Sequence, residues 1–401
     1  MSRILIYVFP GLIDMIVASV MFVCTVRAAE QKLSPSAVAN LVTVFSVAYM
    51  LACITVGRLV TQRNTAWMLI GACIAIAAVS VGFLAFPQVR AMYPLVFLIA
   101  LAIGFFFVPF QVFMKDVDQA TSRSVAHSTG LYTFSWSTGF ALGPFVAAYL
   151  WTHLGWEKCH MLNALLAVLA GGGIYLLKHH ASAPGAPRAA AEPARNGQAS
   201  SRYSRMPDLA WMAWVCGGVG ALAFALIRGI LPSSGVAYEL SKPVQGAIFF
   251  IYCLAQALVG LALCRSRFWM YRPLPLIAFG LMGIAGLVGL ALARTPVAFY
   301  AAALTYGIYS GSGFFYMVFH ALVHPVKSAR YISINEAVVG VTGIAGPFLG
   351  GILADHAGLP APYLATAGLL LGAVAVQWAV HRRHTVLVSS AARRPAENVI
   401  A

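Results

Sequence analysis

Gly104-Phe-Phe-Phe-Val-Pro-Phe-Gln111 returns as Gly313-Phe-Phe-Tyr-Met-Val-Phe-His320, 209 residues later, each copy inside one long apolar run. Working outward, Lys32-Leu-Ser34 is echoed by Glu239-Leu-Ser241 at an offset of 207, and Gly143-Pro144 by Gly346-Pro347 at 203. Three matches in chain order, each separated by about half of the 401 residues, indicate duplication of a whole multi-helix unit rather than a short solenoid repeat.

Hydrophobic residues fill 61% of the positions and charged residues 9%, and the mean hydropathy is +0.83. Such values describe a polytopic membrane protein. Twelve apolar runs are long enough to cross a hydrocarbon core of about 30 Å: 4–26, 36–57, 67–86, 93–114, 125–151, 160–177, 209–232, 243–264, 273–293, 297–320, 332–354 and 362–380. They are continuously apolar, unlike the alternating strands of a membrane barrel, so the predicted fold is all-α, with twelve transmembrane helices in two pseudo-symmetric six-helix bundles. Arg3 before the first run and Arg27-Ala-Ala29 after it resemble a secretory signal, but the run is too long and is interrupted by Pro10 and Asp14, so it reads as the first span.

The formal charge is +15. With the N-terminus in the cytoplasm and the spans alternating, 19 of the 26 Lys and Arg fall on the inner side; the other seven are Arg27, Lys32, Arg90, Lys158, Arg228, Lys242 and Arg294. This bias places both termini inside and assigns the basic excess to orientation and anionic lipid rather than to nucleic acid. The seven cysteines contain no C-x-x-C pair and read as small buried hydrophobes, so neither a metal nor a disulfide framework is expected. The Pro-, Ala- and Arg-rich stretch 179–208 reads as a cytoplasmic linker between bundles at 1–178 and 209–384, with a tail at 385–401.

Gly139-Phe-Ala-Leu-Gly143-Pro144 and Gly343-Ile-Ala-Gly346-Pro347-Phe-Leu-Gly350, together with the six-plus-six arrangement and the long central loop, resemble the major facilitator superfamily of secondary transporters. The resemblance covers nearly the whole chain. It implies alternating access, helices one, four, seven and ten around a central cavity, and rocking helices that carry the glycine-proline motifs between the halves. The family's loop after the second span usually reads Gly-x-x-x-Asp-Arg/Lys-x-Gly; here Gly57 is followed by Thr61, Gln62 and Asn64 at those positions, leaving Gly57, Arg58 and Arg330 as candidates for a cytoplasmic gate. Residues 93–114 also lack the arginine common in proton-driven exporters of the family.

Asp14 lies about 15 Å into the first span, where a charge is expensive and usually faces a cavity, a partner or a substrate; a structural carboxyl bonded across helices is the alternative. Arg228 is read either as a snorkelling cation or as a cavity cation for an anionic substrate. Glu336 is either a gate or the partner of Arg330 in a local salt bridge. Gln111 and His320 hold equivalent repeat positions and are candidates for substrate or gate contacts, or for plain interfacial residues, while Tyr132, Trp136, Gln256 and Asn335 are further hydrogen-bond candidates.

The function expected is secondary active transport of a small solute through the cell membrane, the bacterial inner membrane above all. Protons or sodium are the expected coupling ions, export is favoured slightly over uptake, and the protein is expected to be a monomer without a cofactor. A non-transporting membrane sensor or a polytopic membrane enzyme is the alternative, although no phosphate loop, H-E-x-x-H or G-x-S-x-G element is present. A central cavity lined by Asp14 and Arg228 favours transport, and a filled interior favours the alternative.

Overall fold

Helix ends repeat along the chain as the sequence does. Lys32 (φ 59°) and Glu239 (φ 53°) are the non-glycine residues of positive φ among those described. Each closes its helix by the same device: Leu33 N–H donates to Ala28 O at 3.2 Å, and Leu240 N–H to Gly235 O at 2.8 Å. This six-to-one bond satisfies carbonyls that the last turn leaves stranded. Ser34 and Ser241 then begin the next helix with a proline in its first turn, where the absent N–H costs nothing. Gly155 (φ 91°) and Gly358 (φ 84°) end another equivalent pair.

The computed structural model describes residues 6–61, 64–119, 125–181, 210–266, 268–269, 273–323 and 328–392, without the side chains at 111, 112, 114–129, 178–181, 273, 322, 323, 328, 329, 332 and 381–392. Among these lie twelve helices: α1 Val8–Glu30, α2 Pro35–Val56, α3 Thr65–Ala85, α4 Val89–Gln119, α5 Val125–Leu154, α6 Trp156–Ala181, α7 Ala210–Ala237, α8 Lys242–Arg265, α9 Pro273–Leu292, α10 Pro296–Val323, α11 Ser328–Ala357 and α12 Ala361–Ala392. Two expected boundaries move: α6 reaches into the expected linker, and α12 continues through the expected start of the tail. Both extensions are Ala-, Leu- or Val-containing stretches with no proline or glycine to stop them. Most of the linker lies outside the described residues, as do Arg3 and Arg63 and the side chains of Gln111, His127 and His324.

Packing partners repeat between the bundles. α1 lies on α5 as α7 lies on α11, α3 on α6 as α9 on α12, and α2 on α4 as α8 on α10. Across the bundles α5 meets α8, α11 meets α2, and α1 meets α7. Ten helices qualify as membrane spans by length and composition, leaving α5 and α10. Those two carry Thr133, Ser137, Ser310 and Ser312, all buried within the protein. Polar side chains there face neighbouring helices and not lipid.

Small residues bring the α1–α5 and α7–α11 backbones together. A Cβ on Gly143 would lie 2.5 Å from Met15 O and 2.9 Å from Ser19 N, and one on Gly139 would collide with Gly11 O. In the second bundle a Cβ on Gly346 would lie 2.5 Å from Leu222 O, and one on Gly350 2.9 Å from Leu226. Gly139, Gly143, Gly346 and Gly350 thus pack their helices within a bundle, while the helices themselves, α5 and α11, lie against α8 and α2 of the other bundle. Contacts across the halves fall instead to Gly246 against Pro144 O, Gly343 against Ser46 and Gly351 against Ser36. Because backbone cannot move aside for a methyl group, Gly143→Ala is expected to cost about 1–3 kcal/mol of stability. Gly172→Ala, with open space around it, should be neutral or stabilising, and melting temperatures of the two purified variants in detergent decide the matter.

Candidate functional site

One face of α1 carries Asp14, Ala18, Met21 and Thr25 at helical spacing. Ala18, Met21, Phe22 and Thr25 line a cavity whose other walls are Phe140 and Pro144 of α5, Arg228 of α7, and Phe249 and Cys253 of α8. Two helices of each bundle therefore enclose it. The non-atom space of about 310 Å³ includes open solvent, and the interior itself has room for little more than a water molecule, so in this conformation the walls are packed nearly shut. Asp14 stands one turn from Ala18 and outside the lining, a departure from the expectation that both charges would border the cavity.

Arg228 does not snorkel. Its guanidinium lies 4.9 Å from the ring centre of Phe140, 5.6 Å from that of Phe224 and 5.8 Å from that of Phe45, and its Nη2 is buried without a hydrogen-bond partner. Ring faces compensate a desolvated cation in part, by about 0.5–2 kcal/mol each. Asp14, 5% exposed, is the carboxylate that attracts Arg228, yet the two form no direct ion pair. The ion pair formed among the described residues is Lys242–Glu30, at 2.5 Å.

Below the cavity four rings close a circuit across the two bundles. Trp136 meets Phe314 at 5.7 Å, Phe314 meets Phe224 at 5.7 Å, Phe224 meets Phe140 at 5.6 Å, and Phe140 meets Trp136 at 6.0 Å, all edge to face. This geometry is favoured by the ring quadrupoles. On α5 and α7 the quartet lies one turn from Pro144 and Arg228, so it forms the floor on which the guanidinium rests. At the other end of the cavity the bundles are latched by Lys242–Glu30, with Lys242 also 4.7 Å from the Trp151 ring, and by Ser36 N–H donating to Asp355 Oδ1 at 3.1 Å.

The remaining candidates divide. Gln256 Nε2 donates to Ser137 Oγ at 2.9 Å and its Oε1 accepts from Ser310 at 2.7 Å, so this buried amide ties the bundles together beside the quartet. Asn335 accepts from Trp214 Nε1 and donates to Met317 O, which commits both ends of its amide inside the second bundle. Tyr132 packs against the apolar core of the first bundle, and His320 is buried against Tyr316 and Phe319, away from the cavity. Glu336 and Arg330 are both exposed and do not pair; Glu336 faces Tyr49 and Cys53 across the α2–α11 seam. Near Gly57 and the exposed Arg58, Asn64 holds the loop, accepting from Thr61 N–H at 2.7 Å and donating to Leu59 O at 2.8 Å. Sequence reasoning missed Phe140 and Phe224 as site residues, although each stands four positions before a residue already singled out, Pro144 and Arg228.

A search of curated proteins finds no match to the sequence. Among solved structures the chain is similar to the human organic anion transporter MFSD10 (TETRAN), with a TM-score of 0.65 and 14% identity over 94% of this chain and 99% of the other. It is also similar to the nucleoside transporter NupG, with a TM-score of 0.64 and 12% identity over 94% of this chain and 98% of the other. Those proteins are named for chemically different solutes, so the likeness speaks for fold alone. The family model described as Major Facilitator Superfamily matches residues 4–326. The chain accordingly belongs to the Major Facilitator Superfamily and is a multi-pass membrane transporter, not an enzyme.

Proposed function

We propose that the protein is a proton-coupled secondary transporter that carries a small solute by alternating access, its two six-helix bundles, α1–α6 and α7–α12, tilting about the cavity that Arg228 enters. The observation that carries this reading is the cavity itself, walled by two helices of each bundle and holding a guanidinium with an unused N–H. Asp14 is the proposed proton site: a buried carboxylate without a hydrogen-bond partner, in the field of Arg228. The groups facing that guanidinium are Asp14 on α1 and Tyr252 and Cys253 on α8, whereas α2 and α5 present Phe45 and Phe140. Sodium fits less well, because α1 runs unbroken through Asp14 and offers no unwound carbonyls as ligands.

On the positive-inside assignment both termini are cytoplasmic, the latched end faces outward, and the described conformation is closed to the outside. The bacterial inner membrane is the proposed location. Net direction follows the gradients, since a carrier of this kind runs either way; the export preference rests on the glycine-proline motifs alone.

Two measurements test the reading. With Cys53 and Cys264, the two cysteines that are not fully buried, changed to serine, a short reversible thiol cross-linker joining Glu30→Cys to Lys242→Cys should stop solute counterflow in proteoliposomes, and reductant should restore it. Full counterflow through a cross-linked protein would eliminate alternating access at that end. For Asp14→Asn, accumulation driven by a pH gradient is expected to fall about tenfold or more while counterflow persists; undiminished accumulation would rule out Asp14 as the coupling site.

A further inference from the structure

The cavity lining holds one charged side chain, Arg228, among apolar residues, a thiol and a hydroxyl. That hydroxyl is already committed: Thr25 Oγ1 donates to Met21 O at 2.7 Å and contacts Phe22 O at 3.3 Å. The unpartnered Nη2 of Arg228 is therefore the strongest donor left for a ligand. A planar guanidinium pairs best with a carboxylate, sulfonate or phosphate ester, and the pairing strengthens where water is excluded. We propose that Arg228 binds the anionic end of an amphipathic organic monoanion, whose apolar body lies against the Phe22, Phe140 and Phe249 rings. The inference rests on the transport reading for the solute's route, though not for its binding.

The alternatives each leave a charge or a donor unmatched. A neutral solute leaves Nη2 buried and unsatisfied, an organic cation is repelled, and a dianion brings a second negative charge that nothing in the lining answers. The two interior charges also fix what travels with the anion. When empty, ionised Asp14 and Arg228 sum to zero; when loaded with one proton on Asp14 and one monoanion on Arg228, they again sum to zero. A half-loaded carrier would have to move a bare charge through a low-dielectric interior, which is costly. Proton and monoanion therefore move together, without net charge.

The test uses the purified full-length protein with benzoate, hexanoate and 1-naphthoate as anions, benzamide as the neutral counterpart, benzylamine as the cation and phthalate as the dianion. Calorimetry in detergent should show at least one of the three monoanions binding about tenfold or more tighter than benzamide, benzylamine and phthalate. Arg228→Lys should keep a preference for the anion, and Arg228→Gln should abolish it. Circular dichroism and melting temperature report whether the Gln variant is folded, and the Lys variant with the wild-type ligand series carries the decision if it is not. Equal binding of benzoate and benzamide, a preference that survives Arg228→Gln, or no binding of any of the three anions would overturn the assignment. Counterflow in proteoliposomes separates the two readings. Arg228-dependent binding without counterflow leaves the anion site standing and removes transport of these anions, whereas counterflow of benzamide or benzylamine in place of anions does the reverse. Uptake of a bound anion should not shift the membrane potential, and a potential-generating uptake would refute the one-to-one pairing with a proton.

Discussion

A bilayer gives helices no hydrophobic reason to associate, because lipid tails are as apolar as leucine; association depends on how closely backbones approach. In this protein that approach is made at Gly139 and Gly143 against α1 and at Gly346 against α7, where a Cβ would meet backbone oxygen. With α1 fixed on α5 and α7 on α11, the faces that are left turn toward each other, and the cavity is what remains between them. Arg228 and the aromatic quartet depend on the same constraint, since a shift of α5 by one methyl diameter would move Phe140 away from both Phe224 and the guanidinium.

The two charges of the interior lie where the duplication is broken. At the 207-residue offset shared by Lys32 and Glu239, Asp14 corresponds to Ala221 and Arg228 to Met21. Each bundle thus contributes one charge that its twin lacks, and the two opposite charges come into one field. The two helices that carry the repeated Gly-Phe-Phe motif keep its ring stack, Phe106 on Phe110 at 5.5 Å in α4 and Phe315 on Phe319 at 6.3 Å in α10. They diverge earlier in the helix, where α4 has Phe97 and Ala100: there Tyr306 and Tyr309 donate to Gly220 O and Cys216 O, at 2.8 and 2.6 Å, and fasten α10 to α7.

The fold was legible because a bilayer narrows the possibilities so far: continuous apolar runs, a repeated Leu-Ser helix start and paired Gly-Pro steps specify twelve helices in two related halves, but not which helices line the cavity, where α5 and α8 stand in place of the expected fourth and tenth. The site was legible only in part. Asp14 and Arg228 stand out because charges at that depth are expensive. Gln256 and Asn335 look equally polar in sequence, yet one bridges the bundles and the other is spent within a bundle, a distinction that spacing along one helix does not contain. Phe140 and Phe224 were hidden by abundance, among 24 phenylalanines, because what distinguishes them is a meeting between α5 and α7 that no local pattern encodes.

The strengths of the contacts across the bundles bear on whether they can part. The Lys242–Glu30 pair is partly exposed, at 26% and 39%, and such pairs contribute about 0–1 kcal/mol. The Ser36–Asp355 bond is exposed as well. Gln256 is a buried tie, but of its two bonds only the one to Ser137 crosses the bundles, and membrane hydrogen bonds average about 0.6 kcal/mol each. The loop after α2 adds no charge relay, since Asn64 holds it by bonds to its own backbone. What joins the bundles is therefore mostly apolar packing, at the quartet and along the α5–α8 and α2–α11 seams. On the proposed alternating access, a ligand shifts the balance between conformations only by exchanging part of that packing for contacts of its own, since equal affinity for both states would move nothing.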